Sequence, residues 1–248
     1  MSDPARANEA ASCAQRAQVS RSEPKASEDH QVAERRPSGS RRSGWVIWIA
    51  TAIWFAAFAG GTVAFLRFEF TPGEATRAPL VWPVDSSIPL HPEGMTLVLF
   101  AHPHCVCTRA SLDELQVILS HHSRPISAQV VFVQLSDFTD EEMRDESWEK
   151  AGRIPGIERR IDKEGVEARR FGALVSGYTL LYDAAGKLLF EGGVTGSRGQ
   201  VGANAGRNSV IGFLRDAKVD ASRTPVFGCY LFDRAERVLH SSHDSHGA

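Results

Sequence analysis

The chain has 248 residues and a formal net charge of −2, which fits one domain of about 100–200 residues plus appendages and leaves no basic footprint for nucleic acid. The hydrophobic share, 42%, is ordinary for a folded protein; its distribution along the chain is not.

Residues 1–44 are rich in Ala, Ser, Arg and Glu, show no apolar period, and read as a disordered cytoplasmic arm. Residues 45–66 (WVIWIATAIWFAAFAGGTVAFL) carry no charge. About 20 apolar residues suffice for a helix to cross the hydrocarbon core, so this stretch predicts a transmembrane segment and a membrane as partner. Lys25, Arg35, Arg36, Arg41 and Arg42 precede the span, against Arg67 and Arg77 just after it. The excess of basic residues stays in the cytoplasm, so the C-terminal part is expected outside it, with a single pass through the cell (inner) membrane. Ala57-Phe58-Ala59 resembles a signal-peptidase site, but the long arm before the span favours an uncleaved signal anchor. Residues 67–94 hold Pro72, Pro79, Pro83, Pro89 and Pro92 and are expected to form a stiff, extended spacer.

A soluble domain is predicted over 95–218. Thr96–Ala101 (TLVLFA) is a buried-strand pattern. Thr108 or Ser111 is expected to cap a helix with Leu112, Leu115 and Leu119 on one face. Residues 128–135 predict a second strand, 140–151 an acidic helix and 157–161 a short strand. A helix over 164–171 follows, then a hairpin of 178–182 and 188–190 turning at Ala185-Gly186, and a last helix over 208–217. This order, βαβα(β)αββα, predicts an α/β fold with a mixed central sheet flanked by helices. Residues 219–248 form a polar tail with one apolar island, 226–232, which is expected to pack back on the domain.

The cysteines carry the chemistry. Cys13 lies in the arm and is expected to be inert; Cys105, Cys107 and Cys229 follow the span, on the side where disulfides persist. Cys105 and Cys107 fall where a strand gives way to a helix. Unpaired N–H groups and the helix dipole there favour a thiolate, the attacking species in disulfide exchange. His102, His104 and Arg109 are expected to support that charge. One intervening residue permits only a small, strained disulfide ring, which reads as reactive rather than structural. Cys229 is either a third thiol that resolves an adduct at the pair or a buried, inert one.

The stretches "FAHPHCVC", "TRASLDEL" and "GYTLLYDAAGKLLFEGG" resemble the thioredoxin-like proteins, in particular the membrane-tethered extracytoplasmic type. "HPHCVCTRASL", "GGVTGSRG", "NAGR" and "PVFGCYLF" are similar to the RedB-like subgroup. The resemblance implies a thioredoxin-like fold, a thiol–disulfide oxidoreductase with Cys105 as the better-exposed nucleophile and Cys107 as its partner, no cofactor, and protein thiols or disulfides as substrates. Two departures stand out. The family separates its cysteines by two residues and this chain by one; and where the family places a cis-proline, this chain reads Ser176-Gly177-Tyr178.

The same side chains support an alternative. His102, His104, Cys105 and Cys107 are a ligand set suited to copper or zinc, which would make the chain a metal-binding or delivery protein. His240, His243 and His246 in the tail are weak metal ligands at most. The glycine-rich 192–207 lacks a P-loop signature; its Arg198, Asn204 and Arg207 are expected to hold an anion, shape the site's rim or do neither.

Overall fold

The computed structural model describes residues 41–74, 77–135, 138–217, 219 and 221–233. The arm up to residue 40 with Cys13, and the tail histidines, lie outside the described residues.

Helix α1, Arg41–Phe70, overruns the predicted span because Phe68 and Phe70 continue its apolar run past Arg67. Its stretch Gly44–Phe70, 27 residues, is long and apolar enough to cross a membrane. Large side chains such as Trp48, Trp54, Phe58 and Phe65 are exposed along it. An apolar helix with no buried face is the expected form for a hydrocarbon surrounding.

Five strands form one sheet in the order β3-β2-β1-β4-β5. Strand β1, Met95–Ala101, is buried along its whole length and lies at the centre. It pairs parallel with β2, Ile126–Gln134, and antiparallel with β4, Tyr178–Tyr182. Strand β3, Ile157–Lys163, adds parallel to β2 at one edge, and β5, Leu188–Gly193, antiparallel to β4 at the other. Helices α2 (Val106–Ser120), α3 (Glu146–Arg153), α4 (Val166–Arg170) and α5 (Ala205–Leu214) complete the alternation predicted from the chain.

Period-two alternation along β1 divides the core in two. Leu97 and Leu99 join Val130, Phe132, Leu112, Leu115, Ile118 and Val210 on one face. Val98 and Phe100 join Val131, Val133, Phe171, Leu180 and Tyr182 on the other.

That second face is covered by two segments, one expected to stand apart and one expected to pack back. The Pro-rich stretch is not an extended spacer: Ala78 and Ile88 are buried, and Trp82 meets the rings of Phe171 and Tyr182 edge-on with centroids 5.0 Å away. The Tyr182 hydroxyl donates to Pro79 O at 2.9 Å, and the Ala78 N–H donates to Glu191 Oε2 at 2.8 Å. The proline count describes the stiffness of this segment, but its interspersed apolar side chains decide where it goes. The tail's apolar island packs back as expected, with Leu231 and Phe232 buried and Val226 beside them.

Candidate active site

The carboxyl end of β1 delivers the chain to a sharp turn. His104 has φ 59°, the left-handed region that costs a non-glycine residue roughly 1 kcal/mol. Its N–H donates to Asp145 Oδ2 at 2.8 Å, and the other oxygen of Asp145 accepts the Trp148 N–H that caps α3. The turn lets α2 begin at once: Cys105 is its N-cap residue, and the N–H groups of Thr108 and Arg109 point back to the Cys105 carbonyl. The helix therefore starts about one turn earlier than Thr108, and nearly two earlier than Ser111, would have set it.

Thr108 serves another purpose. Its hydroxyl donates to His102 O at 2.9 Å and meets the Ser176 hydroxyl at 2.9 Å, while Ser176 Oγ accepts the His102 N–H at 2.9 Å. With Ser176 donating to Thr108, every hydroxyl proton in this buried triangle has an acceptor. The triangle holds the loop before β4 against the end of β1. The adjoining Gly177, φ 89°, donates its N–H to Phe100 O at 2.8 Å. At the position where the resemblance implies a cis-proline, hydroxyl bonding and a left-handed glycine do the positioning, and the Gly177 N–H is spent on the sheet.

Three sulfurs meet at the helix start. Cys105 Sγ lies 2.9 Å from Cys229 Sγ, although 124 residues separate them in the chain, and Cys107 is near enough to act on the ionisation of both. The Cys105 thiol is held far below its ordinary value, first by the hydrogen bond from Cys107, then by that from Cys229; burial opposes this, and backbone N–H groups of Thr108 and Cys229 add to it. Cys107 is pushed up, first by its bond to Cys105, then by Cys229 and by burial. Cys229 is also raised, chiefly by its bond to Cys105, with the positive charge of Arg198 acting the other way. These directions favour ionisation at Cys105 over Cys107 and Cys229.

Exposure runs opposite to expectation. Cys105 is 3% exposed and Cys107 2%, whereas Cys229 is the exposed member. The supporting groups also differ from those expected. Arg109 turns its guanidinium to Glu146 Oε2 at 2.9 Å, so the Cys105 charge rests on thiols and backbone instead. His104 Nδ1 lies 3.6 Å from Asp145 Oδ2, and the His102 ring nitrogen bonds Pro103 O; both rings lean on Phe138. The proposed copper or zinc set of His102, His104, Cys105 and Cys107 is not assembled, and among the described residues no group of three or more His, Cys, Asp or Glu is arranged to hold a metal ion.

The glycine-rich loop forms the rim. Gly199 offers a backbone bond to Cys107. Arg198 donates to Gly228 O at 2.5 Å and to Phe68 O and Thr71 O at 3.1 and 3.4 Å. Asn204 caps α5, and Arg207 pairs at 3.0 Å with Glu114, a fully buried carboxylate on α2 that also accepts the Gly202 N–H. Arg198 takes the rim position that was one of the alternatives for its loop, while Asp145, Ser176 and Gly228 are the site residues whose roles sequence reasoning missed. Asp145 and Ser176 carried local signals, an acidic residue before a helix and a serine beside the glycine that replaces proline.

No family model and no curated protein matches the chain. Among solved structures, it is similar to a hypothetical protein of Sinorhizobium meliloti, 18% identical over 64% of this chain and 96% of that one, with a TM-score of 0.48. It is also similar to the exposed lipoprotein thioredoxin of Streptococcus pneumoniae (14% identity, 50% and 86% coverage, TM-score 0.38). A third is a secreted Mycobacterium tuberculosis disulfide oxidoreductase homologous to E. coli DsbE (13%, 50% and 81%, 0.34). The strand order, the parallel β1-α2-β2 unit, the closing hairpin and α5 decide the fold class. The fold is thioredoxin-like.

Proposed function

We propose that the protein is a membrane-anchored thiol–disulfide oxidoreductase of the RedB-like kind, working through the dithiol Cys105-x-Cys107 on protein thiols or disulfides outside the cytoplasm. The observation that carries this reading is the buried Cys105 sulfur at the N-cap of α2, 2.9 Å from Cys229 Sγ, in surroundings that hold its thiol below the ordinary value. A thiolate is both the nucleophile of disulfide exchange and, because its pKa is low, a good leaving group in the reverse step. A purely structural cysteine in an apolar core would have its pKa raised instead. The apolar helix α1 and the basic residues before it support an N-terminus in the cytoplasm and the domain on the far side, where disulfides persist.

The test is exchange with a model disulfide by the full-length protein in detergent. Cys105→Ser is expected to abolish it; a variant that exchanges at the wild-type rate refutes the assignment.

A further inference from the structure

The sequence pairs Cys105 with its neighbour Cys107, but the structure gives it a second partner with better access. The tail reaches the site through a short antiparallel contact with the loop before β4. The Ser176 N–H donates to Cys229 O at 2.8 Å, and the Leu231 N–H donates to Leu174 O at 2.9 Å. Gly228 makes this approach feasible: a Cβ there would lie 1.9 Å from Ser176 O. Arg198, bonded to Gly228 O, fixes the same turn from the other side. The result is an exposed cysteine whose sulfur is seated directly on that of a buried one.

Exchange depends on which sulfur an incoming thiolate can reach. Cys105 and Cys107 are closed to a protein partner by their burial. We propose that the cycling disulfide joins Cys105 to Cys229, and that Cys229 is the sulfur that bonds to the substrate. The proposal rests on the exchange reading above but replaces Cys107 by Cys229 as the working partner of Cys105 within that site.

A thiolate of a dithiol substrate attacks Cys229 Sγ; the Cys105–Cys229 bond breaks, and its electron pair leaves on Cys105 Sγ. The substrate is then joined to Cys229 by a mixed disulfide. The second substrate thiolate attacks the substrate sulfur of that bond, and Cys229 departs as a thiolate and takes up a proton. The substrate is oxidised to a disulfide by two electrons, Cys105 and Cys229 are reduced, and the substrate's remaining proton goes to solvent. Run backwards, the same steps reduce a substrate disulfide. Cys107 stays a thiol throughout and donates its S–H to the Cys105 leaving group, a role that suits its burial.

The pairing is read by peptide mapping. Cys105 and Cys107 share one tryptic peptide, bounded by Arg77 and Arg109, while Cys229 lies on another. Full-length protein in detergent is oxidised with glutathione disulfide, alkylated and digested under non-reducing conditions. A linkage between the two peptides is expected, kept in Cys107→Ser and lost in both Cys105→Ser and Cys229→Ser. Oxidised Cys107→Ser treated with reduced glutathione is expected to carry the adduct on the Cys229 peptide, with Cys105 free for alkylation. Exchange should be lost in Cys229→Ser while its circular dichroism matches wild type, since the side chain is exposed. An internal Cys105–Cys107 link in wild type with full exchange by Cys229→Ser, or an adduct on the Cys105 peptide, overturns the proposal. A wild-type protein inert toward glutathione disulfide would instead count against the exchange reading; oxidation with diamide then supplies the linkage map, on which an internal Cys105–Cys107 link still overturns the pairing and a link to the Cys229 peptide supports it.

Discussion

The turn at 102–109 and the tail segment at 225–232 each bring sulfur to one place, by different physics. At the turn, reactivity comes from neighbours in the chain: a helix start, unpaired N–H groups and a second thiol one residue away. In the tail an apolar island signals docking, but nothing local fixes where Cys229 lands; its position comes from packing across more than a hundred residues, through Gly228 and Arg198. The first region makes a thiolate, and the second governs access to it. The charge of a thiol can therefore be argued from a short motif, whereas its working partner requires the tertiary structure.

That division can be tested in decreasing order of effect. The largest is complete loss of the thiolate. Cys105 ionises below the ordinary 9.0 in the folded state, so its contribution to stability is full above pH 9.0 and is lost as pH falls through the folded value. Wild type is expected to show one thiolate by ultraviolet absorbance at neutral pH and to lose stability on acidification through this group; Cys105→Ser should lack both. Next comes Glu114, which ties α2 to the loop carrying Arg198. Glu114→Ala leaves Arg207 without its buried partner and should cost about 3 kcal/mol in chemical denaturation, the low end of the range because Arg207 keeps some contact with water. Gly228→Ala crowds the Ser176 carbonyl and should cost about 2 kcal/mol by overpacking. It should also reduce the yield of the Cys105–Cys229 link while leaving the Cys105 thiolate in place, which separates the two regions cleanly. The smallest effect belongs to Arg109→Ala. Its ion pair with Glu146 is largely exposed, so stability should change by less than about 0.5 kcal/mol, and the thiolate absorbance should stay at wild-type level.

Much of the fold was legible because its signals are local. The strand at 96–101, the hairpin around Ala185-Gly186 and the apolar span each announce themselves by period or run length, and each appears within a few residues of its expected bounds. The start of α2 was misplaced because it depends on Asp145, 41 residues further on, which takes the His104 N–H and stabilises the turn. Arg109 looked like a natural support for a thiolate until Glu146 on α3 claimed it. The docking of the apolar island in the tail was legible from its composition, but which cysteine would face solvent was not. Exposure is decided by how three segments stack, and no spacing within any one of them encodes it.

Arg198 joins the carbonyls of Phe68 and Thr71 at the foot of α1 to the turn that presents Cys229. With α1 embedded as proposed, this clasp works like a short leash: the reactive sulfur cannot roam at the end of a long stalk but hovers close above the lipid headgroups. Under that proposal, the clients it could serve would be those whose own thiols pass near the bilayer surface.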